Sequence, residues 1–62
     1  MREKIEFLIS LGITKAAIQR LSTVPRNSFE RWYTNNLPLS EDNEYKLKRF
    51  LTNFKKQVEE NL

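Results

Sequence analysis

The chain has 62 residues, a formal net charge of +3, and neither cysteine nor histidine. That length holds one domain around one small core, and the missing residue types exclude disulfides, thiolate chemistry, Cys/His zinc sites and histidine acid–base catalysis. No long apolar run opens the sequence, so no signal peptide or membrane span is expected, and the chain reads as cytoplasmic (intracellular), with no cofactor and no metal.

Ile5, Leu8, Ile9 and Leu11 recur at helical spacing and stop at Gly12, which predicts a first helix over residues 2–11. Thr14 is placed to cap a second helix, its hydroxyl accepting from N–H groups of the first turn. Ile18 and Leu21 mark that helix's inward face, and Ala17 leaves room for a neighbour. Ser22-Thr23-Val24 reads as a sharp turn. Pro25 opens a third helix over 25–34, because its ring already holds helical φ and its missing N–H would have no partner there. Phe29 and Trp32 lie three apart and face the core. Leu8, Ile18, Leu21, Val24, Phe29 and Trp32 form the expected core.

Asn35-Asn36 should stop the third helix, since Asn tolerates the left-handed conformation. Leu37-Pro38-Leu39 is a short extended link. Ser40, followed by Glu41 and Asp42, caps a fourth helix over 41–59 and puts acids at the positive end of its dipole. Every segment reads as helix. The expected class is all-α: a single compact four-helix domain with a central helix-turn-helix over 14–34 and a long C-terminal helix.

Charge is unevenly spread. Residues 14–36 hold Lys15, Arg20, Arg26 and Arg31 against Glu30 alone. Residues 45–58 hold Lys46, Lys48, Arg49, Lys55 and Lys56 with no acid, and the acids gather at Glu41-Asp42-Glu44 and Glu59-Glu60. Separated cationic segments suit a polyanion partner; the plainer reading is solvated helix faces.

The third helix offers Arg26, Asn27, Ser28 and Arg31 as an exposed cationic, amide-bearing tip. Such a tip suits base reading in the major groove of double-stranded DNA. Arg can bond guanine bidentately and Asn adenine, each pair discriminating by roughly 1–3 kcal/mol. Each residue also has a structural alternative. Asn27 and Ser28 suit a helix start, and Arg31 suits a salt bridge to a nearby acid.

Residues 13–32 resemble the helix-turn-helix of the Cro/repressor-type (XRE, lambda-repressor-like) DNA-binding family. The carriers are Ile13-Thr14, Ile18, Leu21-Ser22, Val24, Arg26, Ser28-Phe29 and Arg31-Trp32, matched without a gap. The resemblance implies base reading by Arg26 and Asn27. It also implies a DNA-backbone contact from Lys15, which would make binding fall with salt. Asn36, through its N–H or amide, and Tyr33, expected to point away from Phe29 and Trp32, are further backbone candidates. Two residues depart from the pattern. Gln19 stands where the family has Ala, and Thr23 stands where it has Gly. A β-branched residue held at positive φ in that turn is strained by roughly 1–2 kcal/mol.

On the fourth helix Leu47, Leu51, Phe54, Val58 and Leu62 recur at spacings of four and three, close to a heptad stripe. Its first half should cover the core. From Phe54 onward the helix is expected to run past the body, making Phe54, Val58 and Leu62 the candidate interface of a homodimer. The expectation is a sequence-specific, non-enzymatic transcriptional regulator of the kind found in bacteria and phages. The rival is a helix-turn-helix body turned protein-binding module, such as a phage-encoded inhibitor of a host enzyme or a repressor antagonist. Gln19 and Thr23 would be easier to accept in that case.

Overall fold

The computed structural model describes residues 1–61 as four helices: α1 (Arg2–Ser10), α2 (Lys15–Ser22), α3 (Arg26–Asn35) and α4 (Glu41–Asn61). No strand occurs among the described residues. The protein is all-α, as the periodicity predicts, and each boundary falls within two residues of its expected place.

Local chemistry sets most of those boundaries. After α1, Gly12 takes φ 101°, and the N–H groups of Gly12 and Ile13 bond back to the carbonyls of Ile9 and Leu8. That positive φ is where glycine is needed, because a Cβ carries a steric cost there. Thr14 Oγ1 accepts the Ala17 N–H at 3.1 Å and starts α2. Pro25 is the N-cap of α3 rather than its first residue. Asn36 closes α3 in the left-handed region at φ 58°, and the N–H of Leu37 reaches back to the Arg31 carbonyl. This bond spans residues 31–37 and engages a carbonyl of the helix's last turns. Ser40 Oγ accepts the Asn43 N–H at 3.2 Å and starts α4, with Glu41, Asp42 and Glu44 in its first turn.

The core draws on every helix. Ile5 and Leu8 come from α1, Ile18 from α2, Val24 from the turn, Phe29 from α3, and Leu47 and Phe50 from α4. Ile5, Ile18, Val24 and Leu47 are completely buried, and each such side chain contributes about 1.5–3 kcal/mol relative to exposure. Trp32, Tyr33, Leu39, Leu51 and Phe54 are half-buried around them.

One core expectation is corrected. Leu21 is 59% exposed. The buried side of α2 runs through Ile18 and Ser22, four apart and stacked one turn above the other, so Leu21 falls outside that line. Instead it rims a shallow cleft with Thr23, Arg49 and Asn53. On α4 the inward face turns through Leu47 and Phe50, with Leu51 half-buried beside them. Phe50 is buried with Leu47, and Leu51 packs against the core, so the first half of the stripe covers the core as expected.

Candidate nucleic-acid interface

The turn between α2 and α3 is held by α2 side chains. Thr23 adopts φ 64°, ψ 14°, the left-handed conformation in which a β-branched residue is strained. Ser22 is 4% exposed and the one buried polar residue described. Its hydroxyl donates to the Gln19 carbonyl at 3.1 Å and accepts the Val24 N–H at 3.5 Å. Gln19 Nε2 donates to the Val24 carbonyl at 2.8 Å. Both backbone groups of Val24 are thus engaged by α2 side chains, and Val24 itself is fully buried immediately ahead of α3.

The far end of α3 is fixed by Arg2. Its guanidinium donates to the Trp32 carbonyl at 2.7 Å and the Tyr33 carbonyl at 3.0 Å. The same group lies 4.7 Å from the Trp32 ring centroid and 5.4 Å from that of Tyr33. A cation at the carbonyl end of a helix, over two aromatic faces, is favoured by the dipole and by both ring quadrupoles. Sequence reasoning missed this clamp. Its partners lie about thirty residues away in the chain, and nothing in the local pattern around Arg2 points to them.

The four candidate base readers do not share one face. Asn27 and Arg31 are exposed and four apart on α3, so they stand together on its outward side. Arg26 is exposed but turned toward α2, where it lines a cleft with Lys15, Ala16, Gln19 and Glu30. Ser28 is half-buried; it lies one turn before Trp32 and is withdrawn from the tip, which corrects its placement on the exposed face.

One backbone candidate also needs correction. Tyr33 does not point away from Phe29: the rings stack at 5.9 Å with 5° between their planes. Lys15 Nζ lies 5.3 Å from the Tyr33 centroid, so the ring steadies this lysine, at the start of α2, against the far end of α3. Asn36 is exposed just past α3, and the hydrogen bond that closes the helix onto the Arg31 carbonyl comes from the Leu37 N–H.

Ion pairing sorts the cations. Lys46 pairs with Asp42 at 3.1 Å and Lys48 with Glu44 at 3.0 Å, both within the start of α4. Among the described residues, Lys15, Arg20, Arg26 and Arg31 form no salt bridge. The one acid in their midst, Glu30, accepts a hydrogen bond from Thr34 Oγ1 at 3.1 Å instead. Uncompensated positive charge therefore collects on α2 and α3, while the early part of α4 is internally balanced. No group of side chains among the described residues is suited to holding a metal ion, and no helix described is long and apolar enough to cross a membrane.

On α4, Phe54 packs against the core with its ring 5.9 Å from Phe50, so exposure begins after Phe54 rather than at it. Val58 is 41% exposed. Leu62, the last candidate dimer residue, lies outside the described residues. Comparison with protein-family models, curated proteins and solved structures finds no match for this chain.

Proposed function

We propose that the protein is a sequence-specific double-stranded DNA-binding regulator of the Cro/repressor kind that residues 13–32 resemble. In this reading α3 enters the major groove, Asn27 and Arg31 read base edges, and Arg26 reads from the α2 side. Lys15, steadied by Tyr33, contacts the backbone and fixes register. The observation that carries the reading is the set of three exposed cations around α3 (Lys15, Arg26 and Arg31) with no acid partner among the described residues. The departures at Gln19 and Thr23 do not count against it. Thr23 adopts the backbone conformation that glycine supplies most easily, and Gln19 anchors the turn. We further propose that two copies associate through the exposed end of α4, giving a homodimer that works inside the cell.

Exposed Phe7 on α1 and Leu11 at its C-cap, four residues apart at 61% and 63%, favour a second reading in which the body binds another protein. Titrating duplex DNA at two salt concentrations separates the two. The DNA reading expects Arg26→Ala to lower discrimination between sites, and Lys15→Ala to weaken all sites alike while flattening the salt slope by about one. Absence of duplex binding at low salt would overturn it in favour of the protein-binding reading.

A further inference from the structure

Glu30 stands among the cations of α3, not apart from them. At about 100° of turn per residue, Arg26, Glu30, Asn27 and Arg31 follow one another around α3 at about 0°, 40°, 100° and 140°. All four are exposed. Along the axis Glu30 lies about 6 Å beyond Arg26 and about 1.5 Å short of Arg31. A helix that presents Arg26, Asn27 and Arg31 to a duplex therefore presents Glu30 as well, at the depth of Arg31.

A carboxylate in that place is unfavourable against a polyanion unless it meets a donor. The nearby cations do not neutralise it. Arg26 precedes Glu30 by four residues and Lys15 lines the same cleft, yet Glu30 forms no salt bridge among the described residues. Instead Thr34 Oγ1 donates to Glu30 Oε2 at 3.1 Å. Thr34 is exposed and lies one turn on, at about 80° in the same sense. Its hydroxyl therefore draws the carboxylate toward the outward side of α3, between Arg26 and Arg31.

We propose that Glu30 reads a cytosine, accepting a hydrogen bond from its N4 amino group in the major groove. This rests on the DNA reading above and adds to it a base that the cations do not select. The choice of base follows from what each shows in the groove. Guanine shows N7 and O6, and thymine shows O4, all of them acceptors that repel a carboxylate. Adenine sets its N6 amino group beside the acceptor N7, whereas cytosine offers the N4 amino group alone. Arginine and asparagine reward the right base, and Glu30 penalises the wrong ones. Discrimination by a built-in repulsion of this kind complements discrimination by attraction.

Selection of duplexes from a randomised pool by the 62-residue chain, followed by titration of individual duplexes, tests this. The duplexes chosen by the unaltered chain are expected to share a cytosine at one position. Glu30→Ala should reduce the preference for that cytosine about tenfold, chiefly through tighter binding of duplexes that lack it. Glu30→Gln should move the preference at the same position toward adenine, which glutamine bonds at N6 and N7 together. Thr34→Val, which releases the carboxylate, should weaken the cytosine preference less than Glu30→Ala does. Circular dichroism melts check that each variant is folded, as expected for exposed positions. Glu30 variants that choose the same duplexes as the parent would overturn reading by Glu30 and leave DNA binding standing. Failure of the unaltered chain to bind any duplex at low salt would overturn both.

Discussion

Gln19 on α2 reaches across the turn and donates to the carbonyl of Val24 at 2.8 Å. Val24 is fully buried, and its carbonyl is the last before Pro25 and α3. The bond sets how α3 leaves the corner. A residue of the size and polarity of glutamine at this place is therefore part of the turn. Gln19→Ala is expected to lower unfolding free energy by about 0.5–1.5 kcal/mol, the usual net worth of one such bond. Gln19→Glu should cost more, because it turns a second acceptor toward the carbonyl. Urea unfolding of the two variants checks the order; a glutamate variant as stable as the alanine one would show that the amide donates nothing there.

Thr23 carries strain in the same corner. At φ 64° a β-branched residue is disfavoured by about 1–2 kcal/mol, while glycine at this position would lose about 0.4–1 kcal/mol through a more flexible unfolded chain. Relief of strain outweighs that loss. Thr23→Gly should raise the melting temperature by a few degrees, since about 1 kcal/mol moves a domain of this size by 4–8 °C. Gly12→Ala has the opposite sign. No heavy atom lies within 4 Å of the added Cβ, so its expected cost of about 1 kcal/mol would come from φ 101° alone.

These two residues mark where the sequence could be read and where it could not. Thr14, Pro25, Asn36 and Ser40 act through groups a few residues away, so their roles as caps and stops were visible in the order of residue types. Thr23 was legible as a strained position only through the resemblance, which puts glycine at that place in the turn. Leu21 and Tyr33 were misplaced because periodicity gives the spacing of a helical stripe but not its absolute direction. On an eight-residue helix such as α2, a small rotation moves Leu21 from core to rim. Ser28 was misjudged likewise: it lies next to Phe29 in the chain, and only packing decides that it follows the aromatic side. The Arg2 clamp lay beyond reach altogether, because the carbonyls it holds come from another helix.

That clamp predicts a large effect from a residue at the very start of α1. Arg2→Ala removes two charge-assisted hydrogen bonds to the carbonyls of Trp32 and Tyr33 together with the ring contacts. Because Arg2 is only half-buried, part of this is screened by water, and a loss of about 1–3 kcal/mol is expected. Arg2→Lys should recover less than half, since an ammonium cannot present the guanidinium fork to two carbonyls at once. Tryptophan fluorescence during denaturant unfolding follows both variants. Equal stability of the lysine variant and the parent would mean that charge alone matters.

The placement of Ser28 against that of Asn27 and Arg31 gives the DNA reading its sharpest internal test. All three lie on α3 next to one another or one turn apart, so residue type and sequence position alone make each a reader. Burial separates them: Asn27 and Arg31 are exposed on one side, whereas Ser28 is half-buried. If α3 enters the groove with its outward side foremost, Asn27→Ala and Arg31→Ala should each relax selectivity at a particular base pair by about 1–3 kcal/mol. Ser28→Ala should leave selectivity unchanged, because its hydroxyl stands behind the reading edge. Selection of preferred duplexes from a randomised pool, repeated for each variant, reads this directly. A shift in preferred sequence with Ser28→Ala, and none with Arg31→Ala, would mean that a different side of α3 meets the DNA. The Lys15–Tyr33 contact would then lie on the wrong side to fix register.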